Sequence, residues 1–190
     1  MKLVAFGDSN TRYWLGDEGW PGPLEDSWPL LLEGLLRSKG REVTVVNEGW
    51  PGGETAFAHR KFTHLTGGAD GVILAFGTND IKLPESRLED YLAHMEGIFR
   101  ANGERPLLVL SILWFARGYG FYRSQERLPQ WNGALAWLCR DYGVAFWDTT
   151  ERFRDHTEWY NDHPPHHLNA QGQRVLAEEV LRGLEHHHIL

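Results

Sequence analysis

Five short apolar runs recur along the chain, and each is separated from the next by a segment with helical spacing. The runs are Leu3 to Phe6, Glu42 to Val46, Gly71 to Phe76, Leu107 to Leu113 and Val144 to Trp147. Four to seven residues is strand length rather than helix length. Between them, Ser27 is placed as an N-cap with Pro29 in the first turn, followed by Leu31, Leu32, Leu35 and Leu36 on one face until Gly40. Glu54 to Leu65 reads as a second helix. Ser86 with Glu89 forms a capping box for a third helix reaching Asn102. Trp131, Leu135, Leu138 and Tyr142 mark a fourth, closed by Gly143. The last starts near Asn169 and carries Leu176, Val180 and Leu184 on one face. Strands that alternate with helices build a parallel sheet covered on both faces.

The remaining stretches, Thr11 to Asp26, Trp114 to Pro129 and Glu151 to Pro165, show no period and read as loops; the second bears Phe121, Tyr122 and Arg123. With 190 residues and no repeat or linker, residues 1–190 are expected to form one domain. The net charge of −7 argues against nucleic acid or an anionic membrane surface as partner. Cys139 is the single cysteine, so no internal disulfide can form. Met1-Lys2 leads directly into the first strand, and no apolar run is long enough for a bilayer, which makes a cytoplasmic protein the expectation. The tail His186-His187-His188 reads as a solvated, poorly ordered end. Nine tryptophans are many for this length; Trp14, Trp20, Trp50 and Trp114 fall in loops and suggest aromatic surface beside a site.

Chemistry collects in four polar, glycine-bearing segments. Gly7-Asp8-Ser9-Asn10, Asn47 to Thr55 and Gly77-Thr78-Asn79-Asp80 each follow a predicted strand. In a parallel sheet the carboxyl ends of the strands share one edge, where open α/β sheets bind ligands. The fourth, Asp162-His163-Pro164-Pro165-His166-His167-Leu168-Asn169, precedes the last helix, which can return it to that edge. A serine displayed there becomes a nucleophile only if a base and an oxyanion hole reach it.

Taken in order, these segments resemble the SGNH hydrolases, the GDSL esterase and lipase family: Gly-Asp-Ser after an N-terminal strand, Asn-x-Gly-x-x-Gly, Gly77-Thr78-Asn79-Asp80, and His-Leu-Asn-x-x-Gly near the C-terminus. Gly-Asp-Ser alone is a weak signal; the ordered set from residue 7 to residue 172 is a strong one. The segment from Phe6 to Thr55 looks most like the arylesterase branch. The resemblance implies a three-layer, flavodoxin-like α/β/α sandwich with a mostly parallel five-stranded sheet. It also implies a serine esterase acting on small or aryl esters without cofactor or metal. Ser9 would be the nucleophile and His167 the general base. The backbone N–H groups of Ser9 and Gly52 with the Asn79 amide would form the oxyanion hole, Gly53 competing with Gly52. Asp8 and Asp80 are read as organisers of their own turns.

One departure stands out. The family's triad acid usually lies three residues before the histidine, and that position is Pro164. Asp162, five residues ahead, is the favoured acid, reaching back if the prolines bulge the loop. Otherwise the enzyme runs as a Ser–His dyad, or Asp155 or Glu158 substitutes. Within the family the competing reading is an acetyl-sugar esterase. Outside it stand a metal-binding protein using Asp155, His156, Asp162, His163, His166 and His167, and a non-catalytic carbohydrate-binding module.

Overall fold

The computed structural model describes residues 1–15, 20–114, 122–162 and 166–190. Strand β1 (Lys2–Gly7) lies in the middle of the sheet, and its residues alternate between two cores. Leu3 and Ala5 enter the core built with Trp28, Leu32, Leu36, Val180 and Leu184. Val4 and Phe6 enter the core built with Phe62, Ile98, Trp131 and Leu135. A run apolar on both faces is what a strand sandwiched between helical layers requires.

The other strands are β2 (Thr44–Gly49), β3 (Gly71–Ala75), β4 (Leu107–Leu110) and β5 (Ala145–Trp147). All pairings are parallel, in the order β2-β1-β3-β4-β5. Helices α2 (Trp28–Ser38) and α8 (Ala170–His186) cover one face; α3 (Thr55–Leu65), α5 (Leu88–Asn102) and α6 (Tyr122–Asp141) cover the other. The expected three-layer sandwich is therefore present. Gly7 pairs with Gly49 on one side and with Ala75 on the other. The turns after β1, β2 and β3 thus leave the sheet at one level. The strand order reverses between β1 and β3, the point at which such sheets open a crevice. Three short helices follow strand ends: α1 (Ser9–Arg12), α4 (Thr78–Lys82) and α7 (Thr150–Phe153).

Several expectations give way to tertiary contacts. β4 stops at Leu110 rather than Leu113 because Asn132 of α6 takes over the backbone, accepting from Ile112 N–H (2.8 Å) and donating to Ile112 C=O (3.1 Å). The capping box fails: Arg87 is the N-cap of α5, without a side-chain bond, and Ser86 C=O accepts from the Arg127 guanidinium. Arg127 also donates to Ile81 and Leu83 C=O and lies over the Trp131 ring, which anchors α6 on both sides of Pro129. Residues 122–129 are consequently helical rather than loop. Phe121 lies outside the described residues. The segment after Asp148 contains α7 and a single 3-10 turn over Thr157–Trp159. The histidine tail is not loose: α8 runs through His186, His187 bonds to Phe146 C=O (3.0 Å), and Ile189 and Leu190 pack on the core.

Candidate active site

The Asp8 carboxylate accepts from Asn10 N–H (2.9 Å) and so caps α1, placing Ser9 at the first helical position. Ser9 is only 3% exposed, and its N–H has no hydrogen-bond partner among the described residues. His167 arrives from 158 positions along the chain, and its Nε2 lies 2.9 Å from Ser9 Oγ. The loop carrying it is fixed by the start of α8, where Asn169 Oδ1 accepts from Gln171 and Gly172 N–H, both at 3.0 Å. With its proton on Nδ1, the imidazole offers Nε2 as acceptor to the Ser9 hydroxyl.

The turn after β2 is closed by Gly53 N–H donating to Trp50 C=O (2.9 Å), with Gly52 at φ +75°. Proline followed by a residue with positive φ is the type II pattern, and it requires glycine at 52. Gly53 has a different constraint: an added Cβ would lie 2.9 Å from Trp50 C=O and 3.1 Å from the Phe76 ring. Of the two competing donors, Gly53 N–H is engaged within the turn, while Gly52 N–H has no partner among the described residues. The Asn79 amide donates to Gly53 C=O (2.9 Å), which uses one of its two hydrogens. Asp80 accepts from Thr55 N–H through both oxygens (3.1 Å each) and from the Thr55 hydroxyl. It thereby caps α3 and ties the turn after β3 to the turn after β2. Both aspartates organise turns.

The site is buried and includes the Lys82 ammonium. Burial raises the Asp8 carboxyl to about 6, against the opposing effects of the Asn10 N–H, the Thr78 side chain and the Lys82 charge. Burial likewise raises Asp80 and lowers Lys82. The Lys82 ammonium lies 3.1 Å from His166 Nε2, and the His166 ring is 4.3 Å from that of His167. Burial first, then the Lys82 charge, lowers His166 to about 3 and His167 to about 4. His167 is therefore neutral at pH 7, as a general base must be.

Ser9, His167 and the turns bearing Gly52 and Asn79 meet at one sheet edge. Asp162 does not join them: it is exposed, and His167 Nδ1 is buried with no hydrogen-bond partner among the described residues. Glu158 instead bonds His156 Nδ1 (2.7 Å), and Asp155 is exposed at φ +63°. His163, Pro164 and Pro165 lie outside the described residues. Among the described residues, no group of three or more His, Cys, Asp or Glu side chains is arranged to hold a metal ion.

Sequence reasoning missed Asn10, Lys82 and Gln173. Asn10 hid inside the nucleophile motif. Lys82 follows Asn79 by three residues, which on a helical turn puts both on one side. Gln173 precedes Leu176 and Val180 by three and seven, a polar residue on an apolar face and so a buried one.

Among described residues, no helix is long and apolar enough to cross a membrane. The crystal structure of the lipase/acylhydrolase from Enterococcus faecalis superposes with a TM-score of 0.85 at 20% identity, covering 98% of this chain and 96% of that one. An acetylxylan esterase from Geobacillus stearothermophilus gives 0.79 at 19% identity, over 96% and 93% of the two chains. In sequence, an arylesterase from Vibrio mimicus is 28% identical over 112 residues; the match spans 57% of this chain and about half, 53%, of that protein. The sequence pattern of one family matches residues 5–175, nearly the whole of the region that builds the sheet and its polar edge: the chain belongs to the GDSL-like lipase/acylhydrolase family.

Proposed function

We propose that the protein is a serine esterase that hydrolyses small or aryl carboxylic esters through an acyl-enzyme on Ser9. The 2.9 Å contact between Ser9 Oγ and His167 Nε2 carries this reading. As Ser9 Oγ attacks the carbonyl, its proton passes to His167. The developing oxyanion is received by the N–H groups of Ser9 and Gly52 and the second Asn79 hydrogen. His167 returns the proton to the leaving alcohol, then activates the water that releases the acid. One donor held ready for the oxyanion lowers the barrier by about 3 kcal/mol. Because no side chain among the described residues meets His167 Nδ1, our reading is a Ser–His dyad, with Asp162 outside the chemistry.

Residues 1–190 act as one domain, and a single buried cysteine suits a cytoplasmic setting. The small-ester reading takes support from the arylesterase similarity. A second reading, an acetyl-sugar esterase, is favoured by exposed aromatic faces: Trp20 is 71% exposed and Trp50 42%. Ser9→Ala and His167→Ala should each lower hydrolysis of p-nitrophenyl acetate by at least about 1000-fold with the fold retained. Near-normal rates in either variant sink the assignment. A panel of aryl, short acyl and acetylated-sugar esters separates the two substrate classes.

A further inference from the structure

The side-chain amide of Asn10 grips the two peptide groups on either side of His167. Its Nδ2 donates to His166 C=O (3.0 Å), and its Oδ1 accepts from Leu168 N–H (2.9 Å). The first belongs to the peptide bond that enters residue 167 and the second to the one that leaves it. Together they fix the backbone torsions of His167, and hence the direction of its Cα–Cβ bond. Both bonds are buried, and Asn10 is itself 3% exposed. Asn10 is held in turn: Asp8 Oδ1 accepts from its N–H, and Gln173 Nε2 donates to its C=O (3.0 Å) while Gln173 Oε1 accepts from Trp28 N–H (2.8 Å). The opposite side of the loop is braced by Asn161 N–H on His167 C=O (2.9 Å) and Asn169 N–H on Trp159 C=O (3.0 Å).

In serine hydrolases with a full triad, the acid orients the imidazole through Nδ1. No described residue does so here. We propose that Asn10, the residue next to the nucleophile, is the positioning residue of the base, orienting His167 through its backbone instead of its ring. Nucleophile and base are thereby referenced to one short helix, so their separation is set locally although 158 positions divide them. The inference rests on the reading of His167 as the base.

The test compares Asn10→Leu, which removes both bonds, and Asn10→Asp, which keeps the acceptor for Leu168 but cannot donate to His166 as a carboxylate. Active sites are counted with a p-nitrophenyl organophosphonate, and p-nitrophenyl acetate turnover is expressed per titrated site. Displacing a catalytic group by about 1 Å costs on the order of 100-fold in rate. Asn10→Leu should therefore lose about 10- to 100-fold in kcat per titrated site, with KM within twofold, and Asn10→Asp should lose less. A purely structural asparagine would reduce the number of titratable sites and leave the rate per site unchanged; that result overturns the proposal, as does an unchanged kcat. Should Asn10→Leu fail to fold, Asn10→Asp decides by the same criterion, a loss of at least threefold per site being required. Inactive His167→Ala beside unaffected Asn10 variants overturns this inference alone. Active His167→Ala overturns the underlying reading and this inference with it.

Discussion

The Lys82 ammonium donates toward Nε2 of His166 at 3.1 Å, so a positive charge stands one ring away from the proposed base. Burial and this charge both hold His167 below its ordinary value of 6.5, at about 4. Only the neutral ring can take the serine proton, so kcat/KM should fall as the pH drops through that value and stay level above it. Lys82→Met removes the smaller of the two causes. Its acid limb should move to higher pH without reaching 6.5, and Lys82→Arg should restore the original limb. Profiles of kcat/KM from pH 3.5 to 8 decide this; coincident limbs would remove Lys82 from the account.

Asp162 is exposed and bonded to nothing on His167. Asp162→Asn is therefore expected to keep its rate within about twofold, since surface substitutions away from special features have small effects. A triad acid would cost far more: the corresponding change in a trypsin-type triad lowers kcat about 10⁴-fold. Steady-state turnover of p-nitrophenyl acetate by this single variant separates dyad from triad.

In the proposed mechanism Asn79 offers the oxyanion the one amide hydrogen that Gly53 C=O does not use. Asn79→Ala should lower kcat by about 100- to 1000-fold with a small change in KM, because a developing oxyanion gains more from the donor than the ground-state carbonyl does. Equal losses in substrate affinity and turnover would mean that Asn79 only holds the turn.

Asp8 makes a prediction about stability. Its carboxyl sits at about 6 in the fold and near 3.8 when exposed. Between those values the folded protein keeps a proton that the unfolded chain has released, so stability declines as pH rises through this window, by up to about 3 kcal/mol. Asp8→Asn has no such proton to hold, and its amide oxygen can still accept from Asn10 N–H. Urea unfolding at half-unit steps from pH 4 to 7 should show a smaller decline for Asp8→Asn than for the parent protein. Parallel curves would count against a raised Asp8.

Much of this was readable in advance because the strands are buried on both faces. Leu3 to Phe6 must be apolar throughout, and the glycines and asparagines at the ends of the first three strands announce turns. The sheet, its layers and the meeting of Ser9 with His167 follow from such local signals. What escaped depends on contacts between distant segments. Asn132 ends β4 from another helix, Arg127 ties α6 to the Ser86 carbonyl, and Arg87 rather than Ser86 is the N-cap of α5. No local rule encodes a bond made 20 or 41 positions away. The exposed placing of Asp162 follows the same pattern. Nearness in sequence suggested that it could reach His167, but a carboxylate left in water gains its hydration without doing so.

The docked tail has a bearing on solubility. Strand β5 is only three residues long and pairs with β4 on one side. Its other side is the margin of the sheet, where an unpaired carbonyl can template the strand of a neighbouring molecule. His187 places its ring on the carbonyl of Phe146 at that margin, and Ile189 and Leu190 fold over adjoining apolar surface. That carbonyl is therefore occupied, and one fewer backbone group stands open at the margin of the sheet.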